Sequence, residues 1–306
     1  MVANIVEISE ANSHLSLYRG FLKISDKEQE KGRVPLDDIV ALILSAPDAM
    51  LSKMIIATLA ERNIPVIICG RNWHPLSLTL PVHSHHETAG ILFDQIEMSA
   101  ALRKRLWQSF VREKITNQAK ILSRHSDEAA ASQKLMAMVG LVRSGDPDNR
   151  EAHAAQLYWS ALMGRGFRRD TGTNDQNALL NYGYTILRAA TARAVCGTGL
   201  HPALGIHHRN RKNPFCLVDD IMEPFRPLVD ALVIQIWRDC QNGYDGLTPD
   251  IKRRLVGILL QDQEGERGAS PLINCIGRLA VSVKESIQQG ENKLLFPKLA
   301  DGGRLL

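Results

Sequence analysis

The feature that most constrains this fold is a change of hydrophobic period near residue 80. Before it, apolar or alternating runs at Ile5 to Ile8, His14 to Tyr18, Phe21 to Ile24, Val40 to Leu44, Pro65 to Cys69 and Leu76 to Leu80 are separated by Gly, Asp, Asn and Pro. Short strands are the expectation for such runs. One helix is predicted among them, starting near Asp48 and carrying Met50, Leu51, Met54, Ile55 and Leu59 at helical spacing before Asn63 and Pro65. From about residue 92 onward nearly everything has helical period, with helices predicted over Asp94–Arg124, Asp127–Arg143, Asn149–Met163, Asn174–Cys196, Glu223–Gln241, Pro249–Leu260 and Pro271–Gln289. Gly164, Gly197 and Gly243 sit where C-terminal caps belong, and Pro224, Pro249 and Pro271 where a first turn tolerates proline. The expected class is α+β: a small strand-rich domain over residues 1–82, a linker over 83–91 and a larger all-helical domain over 92–306. The three histidines of the linker, His83, His85 and His86, have no cysteine or regular HxxxH partner, so a solvated loop is expected there rather than a zinc site.

A chain of 306 residues with 44% hydrophobic content is long enough to bury a core of its own. Its formal charge of +4 permits an acidic partner such as DNA without demanding one. Five cysteines with no CxxC pair fit reduced thiols better than a disulfide framework. The N-terminus has no basic stretch followed by an apolar one, and no apolar run approaches the roughly 18 residues of a membrane span. The expected location is therefore the cytoplasm, with no membrane partner.

Chemistry is concentrated in residues 207–227, which hold His207 and His208, the cations Arg209, Arg211 and Lys212, and the carboxylates Asp219, Asp220 and Glu223. Nitrogen and carboxylate oxygen suit Mg²⁺ or Mn²⁺, and fixed cations beside them suit a phosphate backbone. Asp220 and Glu223 are three apart and would face one side of a helical turn. Glu151 heads another helix face with Ala155 and Tyr158; it either joins the cluster or stays exposed, favoured by the helix dipole. Asp219 reads equally well as a helix cap or a solvated group. Glu151, His208 and Glu223, with Asp220 close by, would leave water positions on a hard divalent ion, and His207 competes with His208. Of the basic clusters, Arg165 with Arg168 and Arg169, and Arg209 with Arg211 and Lys212, flank these carboxylates and are the expected phosphate contacts. An aromatic content of 5% argues against a platform for stacking single-stranded bases.

Three runs together carry a specific resemblance: Asn177 to Tyr184, Gly199 to His208, and Asn213-Pro214-Phe215 continuing through Asp219-Asp220-Ile221-Met222-Glu223-Pro224-Phe225-Arg226-Pro227. The chain resembles the CRISPR-associated integrase/endonuclease family Cas1, in the form that accompanies type II systems, over nearly its whole length. The resemblance implies a strand-rich N-terminal domain for dimerisation and partner docking, and a helical catalytic domain. It implies a divalent metal held by Glu151, His208 of the Gly-x-x-His loop and Glu223, with Asp220 as an auxiliary ligand. Arg226 matches a frequently basic family position and is expected to contact phosphate or support the acidic cluster. His207 departs from the family, where that position is commonly aliphatic.

The implied activity is insertion of spacer DNA into a CRISPR array, in antiviral defence, by transesterification with a 3′-hydroxyl. The implied partners are double-stranded DNA (the incoming spacer fragment and the CRISPR repeat), a second copy in a homodimer, the small Cas2 protein, and the effector nuclease of type II systems. Two other readings remain open from the residues: a non-catalytic DNA-binding scaffold of a nucleoprotein complex, and a small-molecule metallohydrolase with incidental basic clusters. Strand transfer separates the first from an integrase, and the salt dependence of DNA binding tests the second.

Overall fold

The computed structural model describes residues 4–26, 29–70, 75–79, 81, 85–125, 128–170, 175–240, 244–265 and 268–298. Several expected features fall outside them: the strand end at Leu80, linker residues 82–84 with His83, the helix starts at Asp127 and Asn174, and Gln241 and Gly243.

The N-terminal part pairs two four-stranded sheets. In one, β1 (Asn4–Ile8), β5 (Ile39–Leu44) and β7 (Val66–Cys69) run parallel and β8 (Pro75–Thr79) closes antiparallel on β7. In the other, β4 (Gln29–Pro35), β3 (Phe21–Asp26) and β2 (Ser13–Tyr18) form a meander, and β6 (Met50–Leu51) adds parallel to β2. The first sheet is covered on both faces, which is why β5 reads as an unbroken apolar run instead of an alternation. Leu42, Leu44 and Val66 pack with Leu15 and Leu22 of the second sheet, while the intervening Ile43 and Ile67 join the helical core. Strand β4 is too polar to be recognised in the sequence, and its ladder to β3 is what defines it.

Helix α1 is shorter than expected, spanning Lys53–Glu61. Ser52 caps it by accepting the N–H of Ile55, so Met50 and Leu51 are left extended as β6, and Met50 and Met54 are exposed instead of lying on a core stripe. Ile55 and Leu59 are the residues that reach the core.

The remainder is helical, as its period implies. Helix α2 (Thr88–Glu97) begins inside the stretch expected as linker, and its Ile91 belongs to the helical core. Helix α3 (Ala100–His125) follows a break at Ser99, whose hydroxyl accepts the N–H of Leu102 and starts a new helix. Around α3 lie α4 (Ala129–Val139), α5 (Arg150–Met163), α7 (Cys216–Met222) and α8 (Arg226–Cys240), and α6 (Gln176–Gly197) packs against α7 and α8. Helix α9 (Pro249–Gly257) and helix α10 (Leu272–Gln289) complete the layer, joined by a hairpin of β9 (Asp262–Gly265) and β10 (Gly268–Pro271) that an all-helical domain would not contain. Gly183 lets α6 and α8 approach closely, because a β-carbon there would sit 2.5 Å from Val229.

The helix expected to start at Glu223 starts earlier. Helix α7 runs into a single 3-10 turn, Glu223–Phe225, which leads directly into α8. Pro224 has no N–H to continue the ladder and crowds the preceding turn, so the axis breaks beside Glu223. Asn117 of α3 donates to the carbonyl of Pro224 at 2.9 Å and fixes the break. All five cysteines are free, and among the described residues no helix is long and apolar enough to cross a membrane.

Candidate active site

Glu151 is placed by an unusual helix start. Asp146 and Asn149 adopt positive φ (49° and 51°), which winds the Gly145 to Asn149 turn back on the first turn of α5. The Asp146 carboxylate then accepts the N–H groups of Arg150 (2.9 Å) and Glu151 (3.0 Å). Such a side chain at a helix start fills donors that would otherwise lack partners. Glu151 therefore faces α3 from a fixed first turn.

On α3 it meets Lys114. The ammonium Nζ donates to Glu151 Oε1 at 2.6 Å and also stands 2.6 Å from Glu223 Oε2. The three side chains are 12% (Lys114), 22% (Glu151) and 7% (Glu223) exposed, so water screens them little. Arg226, one turn beyond Glu223, places Nε 2.9 Å from Glu223 Oε1 and lies over the Tyr184 ring. Burial alone would push the Glu223 carboxyl up, but Arg226 and Lys114 outweigh it and hold it at about 2. Burial lowers the Lys114 ammonium and the two glutamates raise it further, for a net rise. The cation contacts of Glu223 are close but poorly aimed: Oε2 is buried without an aligned hydrogen-bond donor among the described residues.

The histidine loop is built from its other side. Gly205 admits a fold-back that no side chain could follow, since a β-carbon there would meet the His208 carbonyl oxygen at 2.3 Å. Asp220, fully buried on α7, closes the loop: its Oδ2 accepts the N–H groups of Ile206 (2.6 Å) and His207 (2.9 Å), and its Oδ1 accepts that of His208 (3.2 Å). The same Oδ1 lies 2.6 Å from His208 Nδ1. Arg103 donates to the carbonyl of Gly205 (2.6 Å), and Gln95 accepts the N–H of His201 (2.6 Å), so α2 and α3 clamp the loop as well. The hydrogen bond to Asp220 raises the His208 pKa against the opposing effect of burial, and the fields of Asp220, Glu223 and Glu151 add to the rise. The second histidine is used differently: the His207 ring stacks on Trp107 with centroids 4.1 Å apart and planes at 4°.

The helices that carry the acids are tied together beneath the site. Asp230 on α8 accepts the hydroxyl of Tyr158 from α5 (3.0 Å) and that of Tyr184 from α6. Burial pushes Asp230 up to about 7, with the two tyrosine hydrogen bonds, Arg226 and Arg169 pulling the other way. Asp219 is neither a cap nor solvated: it accepts from Arg188 (2.7 Å) and Asn213 (2.6 Å), which anchors the Asn-Pro-Phe element to α6.

Of the residues singled out in the sequence, Glu151 and Glu223 converge on one cation, and His208 lies close enough to feel both. Asp220 is adjacent but has both oxygens engaged with the loop. Among the described residues, no group of three His, Cys, Asp or Glu side chains closes on one point as a finished ligand set. The donor chemistry nevertheless fits a hard cation: two carboxylates share the Lys114 ammonium, and one buried oxygen of Glu223 has no aligned donor among the described residues. Arg165, Arg168, Arg209, Arg211 and Lys212 are exposed and form no ion pair among the described residues, while Arg169 donates to Asn177 and Asn181 (2.9 Å) and Arg226 braces Glu223. Lys114, Asp146, Asp230 and the two tyrosines were not singled out as site residues. The local sequence around Lys114 offers only a neighbouring cation, Arg112, two positions before it.

Comparison with known proteins identifies the family and the fold. The family model for CRISPR associated protein Cas1 matches residues 6–263. A CRISPR-associated endonuclease Cas1 from Neisseria meningitidis is 37% identical over 281 residues, covering 92% of this chain and 91% of its own. A casposase bound to integration product superposes with a TM-score of 0.79 at 20% identity, over 99% of this chain and 96% of that one. A Cas6-RT-Cas1–Cas2 complex gives 0.74 at 19% identity over 97% of this chain, which spans 36% of that longer polypeptide.

Proposed function

Because the chain belongs to the CRISPR-associated Cas1 family of endonucleases and integrases, we propose that it is a divalent-metal-dependent DNA integrase, with nuclease activity at the same site, that inserts spacer DNA into a CRISPR array. The observation that carries this reading is the convergence of Glu151 and Glu223 on a single cation position beside an imidazole oriented by Asp220.

Glu151, Glu223 and His208 would hold Mg²⁺ or Mn²⁺, and the ion would polarise the scissile phosphate and stabilise the departing oxygen. Asp220 acts through His208: by accepting a hydrogen bond from Nδ1–H it fixes the ring and leaves the Nε2 lone pair for the ion, as a ligating histidine requires. It is a positioning residue in this reading, since both of its oxygens already serve the loop. The proposed step is attack by the 3′-hydroxyl of the incoming fragment on a phosphodiester at the repeat boundary. One phosphorus–oxygen bond forms and one breaks, the attacking hydroxyl gives up its proton, and the released 3′-oxygen of the repeat takes one. Arg165, Arg168, Arg209, Arg211 and Lys212 would neutralise the two DNA duplexes, with Arg169 and Arg226 nearer the reacting phosphate.

Structural neighbours solved as Cas6-RT-Cas1–Cas2 complexes support a Cas2 partner, and the reading extends to a homodimer, to docking through residues 1–82 and to contact with a type II effector nuclease. The test is strand transfer of a 3′-hydroxyl fragment into repeat DNA with Cas2 and Mg²⁺ or Mn²⁺ present. Glu151→Ala and His208→Ala should each abolish it while duplex binding persists. Wild-type rates for both variants would leave a DNA-binding scaffold instead.

A further inference from the structure

Lys114 stands where the proposed ion would have to sit. We propose that Lys114 is an internal counter-cation that holds Glu151 and Glu223 together until a divalent ion arrives, and that ion binding ejects its ammonium into the adjoining cavity, toward Gln118. The inference rests on the reading of Glu151 and Glu223 as metal ligands, and adds to it how the two acids are held together without an ion and what an incoming ion must displace.

The need for a counter-cation follows from burial. Two carboxylates packed together in a poorly screened site cannot both stay ionised without a positive neighbour. Lys114 supplies it to both, at 2.6 Å each. An ammonium is nevertheless a compromise at this position, because its three donors are directional. It aligns with Glu151 and leaves Glu223 Oε2 touched but without an aligned donor. A spherical divalent ion has no such directional demand. Ion and ammonium repel each other at that distance, so the two occupancies exclude one another.

The structure also provides a destination. A cavity of about 220 Å³ opens beside the carboxylates, lined by Lys114, Gln118, Trp159, Tyr184 and Asp230 among others. Gln118 is four residues after Lys114 on α3, so the two side chains share one helix face. Its side-chain oxygen is buried and has no hydrogen-bond partner among the described residues, and the residue is 3% exposed. A buried acceptor without a donor is costly, and three donors lie one turn away on Lys114.

The test uses the full chain and Mn²⁺ alone, by titration calorimetry and by thermal unfolding with and without the ion. Lys114→Met should unfold at lower temperature than wild type without Mn²⁺, gain more than wild type when Mn²⁺ is added, and bind the ion about tenfold more tightly. Gln118→Leu, which keeps the lysine and removes its acceptor, should weaken Mn²⁺ binding while leaving ion-free stability close to wild type. Equal or weaker Mn²⁺ binding by Lys114→Met overturns the exchange. Should that variant not fold even with Mn²⁺, unchanged binding by Gln118→Leu overturns it. Failure of the underlying reading looks different: wild type and Glu223→Gln would then bind Mn²⁺ alike, or not at all.

Discussion

Two buried lysine–glutamate clusters can be compared in this molecule, and they are finished to different degrees. At the junction of the two parts, Glu7 of β1 accepts from Ser45 (2.6 Å) and Lys252 (2.8 Å) on one oxygen and from Tyr182 (3.0 Å) on the other. Every oxygen of that carboxylate has an aligned donor, and the cluster ties the first sheet to α6 and α9. In the helical part, Lys114 is divided between Glu151 and Glu223, and one Glu223 oxygen lacks an aligned donor. The same residue types therefore serve as a structural tie where hydrogen bonding is complete, and as a candidate reaction centre where it is not.

The sharpest way to break this contrast is to delete one acid from each cluster. Glu223→Ala should lower strand transfer at least about a thousandfold, the several kcal/mol that a positioned ion contributes. A loss below tenfold would remove Glu223 from the centre. At the junction, Lys252→Met leaves Glu7 buried without its cation and should lower unfolding stability by about 3 kcal/mol, read from urea denaturation, with strand transfer per folded molecule retained. A large loss of transfer without loss of stability would reverse the two roles.

Gly205→Ala probes the histidine half. The added methyl must push the His208 carbonyl away, so transfer should fall about tenfold to a hundredfold from misplacement alone, with Glu151 and Glu223 untouched. Wild-type transfer would show that the fold-back does not set His208.

The smallest expected effect concerns Asp230 beneath the site. Its folded pKa, raised to about 7, means that the folded protein keeps a proton the unfolded chain loses as pH rises from about 4. Stability from this group is therefore full below about pH 4 and falls as pH rises toward 7. Asp230→Asn escapes that loss, so its stability relative to wild type should improve between about pH 5 and about pH 8, measured by urea unfolding at both. A flat difference would contradict the burial argument.

Much of this was legible in the sequence for physical reasons. Periodicity exposed the division into a strand-rich and a helical part, because burial on one face leaves a period of two or 3.6. The Gly205 to Glu223 spacing exposed His208 and Glu223, because a tight turn and a following helix are local. Three things were not legible. Strand β4 has a polar sequence and exists through its ladder to β3. The helix break at Pro224 read as a helix start, since a proline inside a helix and one in its first turn look alike along the chain. Lys114 is separated from Glu151 and Glu223 by 37 and 109 positions along the chain, so only the packing of α3 against α5 and the Glu223 turn shows what it does. Asp220 looked like a fourth ligand for the same reason: nothing local reveals that its oxygens are taken by the backbone of residues 206–208.

In the proposed reading Glu151, Glu223 and His208 form one metal centre. Anomalous diffraction from crystals of the protein grown with Mn²⁺ tests it most directly. A single centre gives a peak between the Glu151 and Glu223 carboxylates and within ligand distance of His208 Nε2, with Lys114 no longer between the acids. Crystals holding Mn²⁺ elsewhere, with Lys114 still bridging the two glutamates, would contradict it.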